Sequence, residues 1–137
     1  MRTHPEISHH DARTIIDAIG AKLDADGDGA TVVVVDSHGE LVALLRTDGC
    51  PFPSITIAIN KAYTAARQQL PSAAVGEESR KSEFPMTNFG ELRYVTWGGG
   101  VPIVVGGVVI GAVGVSGLPE SIDVALAEMG AALINAG

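Results

Sequence analysis

The strongest constraint on this chain's fold is that its longest apolar runs carry charged residues only at their ends. Residues 31–35 are one threonine and four valines, and Asp36 follows them directly. A continuous run of β-branched residues, without polar alternation, predicts a strand that is buried on both faces. The next four residues, 36–39, have the composition of a turn, so residues 40–46 are predicted to return as the second strand of a hairpin.

The composition predicts one globular domain over residues 1–137, with a flexible N-terminal segment of residues 1–7. Hydrophobic residues make up 46% of the chain and charged residues 18%, which is too little charge for a disordered protein. The net charge of −7 and the lack of a Lys/Arg cluster speak against nucleic acid and membrane partners. The single cysteine excludes an internal disulfide, and the chain's start resembles no signal peptide, so we expect a cytoplasmic protein.

The apolar periodicity predicts the element order α-β-β-α-(α)-β-β-β-α. Ser8 is the expected N-cap of the first helix, which is expected to bury a stripe of Ala12, Ile15, Ile16, Ile19 and Leu23. Residues 93–97, 102–105 and 108–116 are the expected third, fourth and fifth strands. Gly106-Gly107 is predicted to be the hairpin turn between the last two strands. Tight turns make neighbouring strands antiparallel, which predicts an α+β fold of two layers with a five-stranded antiparallel sheet. The final helix is expected to bury a stripe of Ile122, Leu126, Met129 and Leu133.

Two common ligand motifs are absent from the sequence. No G-x-G-x-x-G or G-x-x-x-x-G-K-[ST] segment occurs, so no nucleotide cofactor is expected. Asp24, Asp26, Asp28 and Gly29 match the first half of a calcium-binding loop. The twelfth position, which should be a bidentate Glu, is Val35, so calcium is not expected either.

Lys61 is the main candidate for chemistry, because it lies in the middle of a helix with an apolar face. Such a lysine either extends its amine to solvent or directs it into a pocket. In a pocket, Asp36 or Asp48 would orient it, and Lys61 would act as a base or as an electrostatic clamp on an anionic oxygen. The few ionic side chains at the ends of the apolar runs are then expected to converge on one cavity.

Further candidates for ligand binding surround the ends of the same runs. His38 in the hairpin turn is either exposed to solvent or an imidazole at the rim of a site, oriented by Asp36. The glycines before the fourth strand and those within the fifth, such as Gly114, permit either close packing of the second helix or a neighbouring subunit, or the approach of a flat ligand. The full set is Arg46, His38, Tyr63, Trp97, Gly98, Gly99, Gly100 and Ser116.

The chain resembles the GlcG/HbpS family over roughly residues 8–135, in the blocks V-V-D-S-H-G-E-L-V-A, R-T-D-G, S-I-T-I-A-I-N-K-A-Y-T-A-A and G-G-G-V-P-I-x-x-G-G-x-x-I-G-A-V-G-V-S-G. Relatives of that family include the C-terminal domain of PduO-type corrinoid adenosyltransferases. The resemblance implies a profilin- or PAS-like α+β fold with a five-stranded antiparallel sheet, and a homo-oligomer that is often an octamer. It also implies haem binding, with haem degradation or iron sequestration proposed in several members.

Three hypotheses follow for the function. The first is a haem-binding protein, with an iron ligand from His38, Cys50, Tyr63 or the N-terminal histidines. Its flat walls would come from the glycines with Trp97 or with Phe84 and Met86, and Lys61 and Arg46 would meet the propionates. The second is a cofactor-free enzyme acting on a small acid or carbonyl compound through Lys61, and the third is a non-catalytic subunit of an oligomer.

Overall fold

A computed structural model describes residues 1–135 as four helices and a four-stranded antiparallel sheet. The predicted domain end at residue 137 lies outside this range. The helices are α1 (His9–Asp26), α2 (Pro53–Gln68), α3 (Ser72–Lys81) and α4 (Glu120–Asn135), and a short 3₁₀ helix spans Met86–Phe89. The strands are β1 (Thr31–Asp36), β2 (Leu41–Arg46), β3 (Gly100–Val105) and β4 (Val108–Ser116), in the spatial order β2-β1-β4-β3.

The prediction of five strands is wrong for the described residues, because residues 93–97 pair with no strand. Their backbone groups bond instead to side chains of two helices. Val95 N donates to the Thr64 hydroxyl at 2.8 Å, and the Trp97 carbonyl accepts from the Ser72 hydroxyl at 2.6 Å. Side chains of α2 and α3 therefore satisfy these groups, and the segment packs against the two helices rather than joining the sheet.

The prediction of two layers is also wrong, because helices cover both faces of the sheet. Val33 and Val35 of β1 pack against the alanine-rich face of α2. Val32 and Val34, which point to the opposite face, pack in a larger core with α1 and α4. Since β1 is buried on both faces, as the sequence predicted, the sheet is the middle of three layers.

Glycines let α2 lie very close to the sheet. A Cβ on Gly114 would stand 2.2 Å from the Ala58 carbonyl oxygen, and one on Gly100 would stand 2.1 Å from the Lys61 carbonyl oxygen. No side chain fits at those distances, so the second helix occupies the space above these two glycines. Of the two predicted explanations for the glycines, close helix packing is the one that the structure displays there.

The N- and C-terminal helices differ in how well their buried faces were predicted. Ser8 caps α1 by accepting a hydrogen bond from Asp11 N at 3.1 Å, and the predicted apolar stripe of α1 is buried. In α4, Leu126 is buried, but Ile122, Met129 and Leu133 are 36–46% exposed, so the predicted stripe is largely wrong. No helix of residues 1–135 is long and apolar enough to cross a membrane.

Candidate functional site

A polar cavity lies between the N-terminal segment and the β1–β2 turn, and we call it the histidine cavity. Its volume is about 430 Å³. Four parts of the chain form its walls: the first residues, the turn, the end of α2 and the start of β4. The lining residues are Arg2, Thr3, His4, Ser37, His38, Ala66, Gln69 and Val109.

The N-terminal segment is held against this turn by two residues. Ile7 is buried, and its N–H donates to the Ile110 carbonyl at 3.0 Å. The Glu6 carboxylate accepts hydrogen bonds from Ser37 N at 2.8 Å and from the Ser37 hydroxyl. The end of the segment that was predicted to be flexible is therefore bonded to the body of the protein at Glu6 and Ile7.

Asp36 fixes the conformation of the turn that carries His38. Its Oδ1 accepts from His38 N at 2.9 Å and from Glu40 N at 3.0 Å. An aspartate that binds backbone N–H groups two and four residues ahead stabilises a tight turn. Asp36 therefore sets the position of His38 through the backbone.

A carboxylate lies within reach of two imidazoles at the rim of the histidine cavity. Glu6 Oε1 is 3.5 Å from His38 Nδ1 and 3.7 Å from His4 Nδ1. The His38 side chain is 75% exposed, so its ring meets the cavity and solvent. Glu6, Asp36 and His38 offer donor atoms that all lie within 4.8 Å of one another. The arrangement suits a metal-bearing ligand, because a histidine that turns one ring nitrogen to a carboxylate presents the other to a metal.

A second cavity, of about 360 Å³, is more apolar and lies between the end of α2, α3 and the 3₁₀ helix. Phe84 and Met86, predicted as pocket-lining residues, stand in its wall. Phe84 and Phe89 meet edge-on, with ring centroids 5.7 Å apart. None of its lining residues is a histidine, a cysteine or a tyrosine; they are Gln68, Leu70, Val75, Glu78, Ser79, Ser82, Phe84, Met86 and Phe89.

Lys61 is buried inside the protein and pairs with Asp123 of α4. Its Nζ donates to Asp123 Oδ2 at 3.2 Å and to the Val115 carbonyl at 2.9 Å, and the two side chains are 1% and 2% exposed. Burial lowers the pKa of Lys61 and raises the pKa of Asp123, and the attraction between the two charges opposes both shifts. Lys61 lines neither of the two cavities.

The predicted partners of Lys61 are therefore wrong. Asp36 lies opposite Gly111, four residues along β4 from Val115, which corresponds to about 13 Å of strand. Asp48 is exposed in the loop after β2. Neither aspartate orients the Lys61 amine, and the amine does not extend to solvent.

The triple glycine encloses this buried pair rather than a cavity. A Cβ on Gly99 would stand 2.6 Å from Lys61 Nζ, and one on Gly98 would stand 2.5 Å from a Val124 methyl group. Gly99 also has a φ of +128°, a conformation that side-chain-bearing residues rarely adopt. The chain itself fills the space beside Gly98 and Gly99.

Tyr63 and Cys50, two of the predicted iron ligands, face inward. Tyr63 is 1% exposed, its hydroxyl donates to Glu91 Oε1 at 3.3 Å, and the Arg93 guanidinium lies 4.0 Å from its ring centroid. Burial is the main reason why the pKa of Tyr63 is raised. Cys50 Sγ contacts the Thr31 hydroxyl at 3.1 Å.

The expected convergence of the ionic residues on one cavity is not found among residues 1–135. Of the predicted residues, His38 and His4 line the histidine cavity, and Phe84 and Met86 line the second cavity. The other predicted catalytic and ligand-binding residues line neither cavity. Arg46 and Trp97 are exposed elsewhere, and Ser116 is buried at the end of β4.

Sequence reasoning missed Glu6, included His4 only as one of the N-terminal histidines that could bind iron, and overlooked Asp123. A signal for Asp123 existed, because it precedes Ala127 and Ala131 at helical spacing on the buried face of α4. Nothing local signals the contact between Glu6 and a turn 31 residues later.

The chain belongs to the HbpS-like family, as predicted: the family described as "Haem degrading protein HbpS-like" matches residues 7–132. Protein GlcG of Escherichia coli strain K12 is 35% identical over 122 residues, covering 85% of each chain. The crystal structure of Klebsiella pneumoniae protein ORFY superimposes with a TM-score of 0.92 at 25% identity, over 100% of this chain and 96% of that one. A crystal structure of a PduOC:haem complex has the same fold, with a TM-score of 0.86 at 24% identity over 95% and 96% of the two chains.

Proposed function

We propose that this protein binds haem at the histidine cavity, with His38 and His4 as candidate ligands of the iron. The proposal is supported by membership of a family described as haem-degrading and by a haem complex of the same fold. The observation in this chain that carries it is the pair of imidazoles whose Nδ1 atoms lie near the Glu6 carboxylate.

The residues of the histidine cavity match the chemical groups of haem. With Nδ1 turned to Glu6, each imidazole has Nε2 left for iron, which is the usual way in which a carboxylate orients a metal-binding histidine. Arg2 supplies a cation for a propionate, and Ala66 and Val109 supply apolar contacts for the ring. The second cavity is more apolar and is lined by Phe84, Met86 and Phe89, but no imidazole or thiol lines it.

A haem titration of purified, haem-free protein tests the proposal. The expected result is a saturable change in the Soret absorbance, with affinity reduced at least about tenfold in His38→Ala or His4→Ala. His9→Ala and His10→Ala are matched controls, because these exposed histidines stack on each other at the start of α1, away from the cavity. Unchanged affinity in both cavity variants, or a loss only in the controls, contradicts the proposed site.

Haem degradation and iron sequestration are finer proposals that the same complex tests. Incubation with a reductant and oxygen should bleach the Soret band and release chelatable iron if the protein degrades haem. A stable spectrum under those conditions supports binding alone. Circular dichroism of each variant shows whether the fold is retained.

Self-association is also a proposal. Ile122, Met129 and Leu133 form an exposed apolar stripe on α4, which is the kind of surface that a second subunit covers. An octamer would be expected from the family resemblance, and light scattering measures the mass directly. Ile122→Lys should lower that mass without unfolding the chain, and an unchanged mass would exclude this face as the interface.

A second candidate function keeps Lys61 as the base of a small-acid or carbonyl enzyme. The lowered pKa of a buried lysine beside a carboxylate is typical of catalytic amines, and this observation favours the idea. The enclosure of Nζ by Val115 and Asp123 weighs against it. Turnover of a small acid that persists in folded Lys61→Met protein would refute it.

A further inference from the structure

We propose that Glu6, His38, His4 and Asp36 bind a free divalent transition-metal ion of the zinc, cobalt and nickel class, independently of haem. Two of these residues come from the N-terminal segment and two from the β1–β2 turn. Their contact is a tertiary one, because about 30 residues separate the two pairs in sequence. No function in the previous section requires this ion.

The distances from Glu6 to the two imidazoles are close to those between neighbouring ligands of a tetrahedral metal site. Zinc bonds to imidazole nitrogen and carboxylate oxygen are about 2.0–2.2 Å long, so neighbouring donors of a tetrahedron lie about 3.4 Å apart. The separations from Glu6 Oε1 are 3.5 Å to His38 Nδ1 and 3.7 Å to His4 Nδ1. The donor atoms that all lie within 4.8 Å of one another are those of Glu6, His38 and Asp36, so these three residues would form the centre of the site. The half-exposed His4 side chain would complete it by turning towards the ion.

The carboxylates are already fixed by other hydrogen bonds. Both turn N–H groups bond to Asp36 Oδ1, which leaves Oδ2 for a metal. Glu6 is fixed by the N–H and the hydroxyl of Ser37. Metal-binding carboxylates are usually held in this way by a second shell of hydrogen bonds, which reduces the entropy lost when the ion binds.

The donor set selects the class of ion. Two imidazoles with two carboxylates suit zinc, cobalt, nickel and copper, whereas calcium and magnesium prefer sites built from oxygen alone. The cluster contains no thiolate, so a soft ion such as Cu(I) is not favoured. The site is exposed at His38 and Glu6, which allows the ion to enter directly from solvent.

The metal proposal uses different atoms from the haem proposal. A small ion would be bound by Nδ1 of each imidazole, on the side of Glu6, whereas haem iron would be bound by Nε2, on the side of the cavity. The two ring nitrogens of a histidine are distinct and can each bind a different partner. The ion can therefore be tested in haem-free protein, and either proposal can fail while the other stands.

Calorimetric and spectroscopic titration with Co²⁺ tests the inference. The protein should be haem-free, free of a histidine tag and stripped of metal with a chelator. We expect one Co²⁺ per chain, with visible d–d absorption bands of four-coordinate cobalt, and competition by Zn²⁺. His38→Ala, His4→Ala and Glu6→Gln should each weaken Co²⁺ binding at least about tenfold.

The controls separate this site from other surface histidines. His9→Ala and His10→Ala should leave Co²⁺ binding unchanged, since neither belongs to the cluster. Glu6→Gln also changes the hydrogen bonds that join the N-terminal segment to Ser37. His4→Ala leaves those hydrogen bonds intact, so it tests the metal site without that structural change. Absence of Co²⁺ binding, or binding that depends on His9 or His10 and survives His38→Ala, overturns the proposal.

Discussion

Replacing Lys61 with methionine should lower the free energy of unfolding by about 3–4 kcal/mol at pH 7. Methionine retains the unbranched chain but removes Nζ, which leaves the 2%-exposed Asp123 without its cation. Breaking a buried ion pair by removing one partner costs about 3–5 kcal/mol. Asp123 can escape this cost by binding a proton. Its ordinary pKa is 3.8, so protonation at pH 7 costs about 4 kcal/mol, which limits the electrostatic part of the loss.

The same reasoning gives the loss a dependence on pH. If Asp123 is protonated in folded Lys61→Met protein, the folded state binds one more proton than the unfolded state between pH 5 and pH 7. Stability of the variant then rises as the pH falls, by about 1.4 kcal/mol per pH unit. In the wild-type protein Lys61 and Asp123 together carry one proton in the folded state and one in the unfolded state, whichever group holds it. The pair therefore adds no pH dependence to the wild-type free energy of unfolding over this range. The difference in the free energy of unfolding between wild type and Lys61→Met should therefore shrink by about 2–3 kcal/mol from pH 7 to pH 5.

Urea unfolding at fixed protein concentration measures both effects. Lys22→Met is the matched control, because Lys22 forms an exposed pair with Asp26 on α1 and should cost at most about 0.5 kcal/mol. Lys61→Met/Asp123→Asn should lose the pH dependence, since an amide cannot titrate but still accepts a hydrogen bond from Leu118 N. A loss below about 1 kcal/mol for Lys61→Met, or the same loss at pH 5 and pH 7, would refute the reasoning.

Two further predictions concern packing and acid stability. Gly76→Ala on α3 should destabilise the protein although alanine favours helices, because its Cβ would stand 1.9 Å from the Thr96 carbonyl oxygen. Gly20→Ala, which meets only the mobile end of Leu45, should cost much less in the same urea measurement, and equal costs would contradict this account. Arg93 lowers the pKa of Glu91 to about 2, so the stability that Glu91 contributes is present above pH 4.5 and is lost as the pH falls from 4.5 towards 2. Glu91→Gln should reduce the acid-induced fall of the thermal midpoint over that interval, and an identical fall in both proteins would exclude the effect.

The parts of the fold that were predicted correctly depend on residues close together in sequence. The β1–β2 hairpin follows from a β-branched run and an aspartate-led turn. The β3–β4 hairpin follows from Gly106-Gly107, both of which adopt positive φ. The cap and buried stripe of α1 likewise need only a few turns of one helix.

The errors of fold prediction arose where two patterns were compatible with the same residues. Residues 93–97 have a strand-like composition, yet helix side chains provide their hydrogen-bond partners. The large apolar residues of α4 suggested a buried stripe, while Asp123, Ala127 and Ala131 take that position. A strand buried on both faces needs a covering layer on each side, so it is incompatible with the predicted two layers. The valine run of β1 was the better guide to the number of layers.

The sequence by itself determined which segments become buried, where the chain turns and to which family it belongs, because those properties depend on local spacing and on ordered blocks of residues. Only the tertiary structure decided which charged groups meet. Lys61 pairs with Asp123, 62 residues away, and Glu6 contacts a turn 31 residues away. Such contacts are set by how the layers stack, since two side chains become neighbours in space only after the sheet has fixed the distance between the elements that carry them.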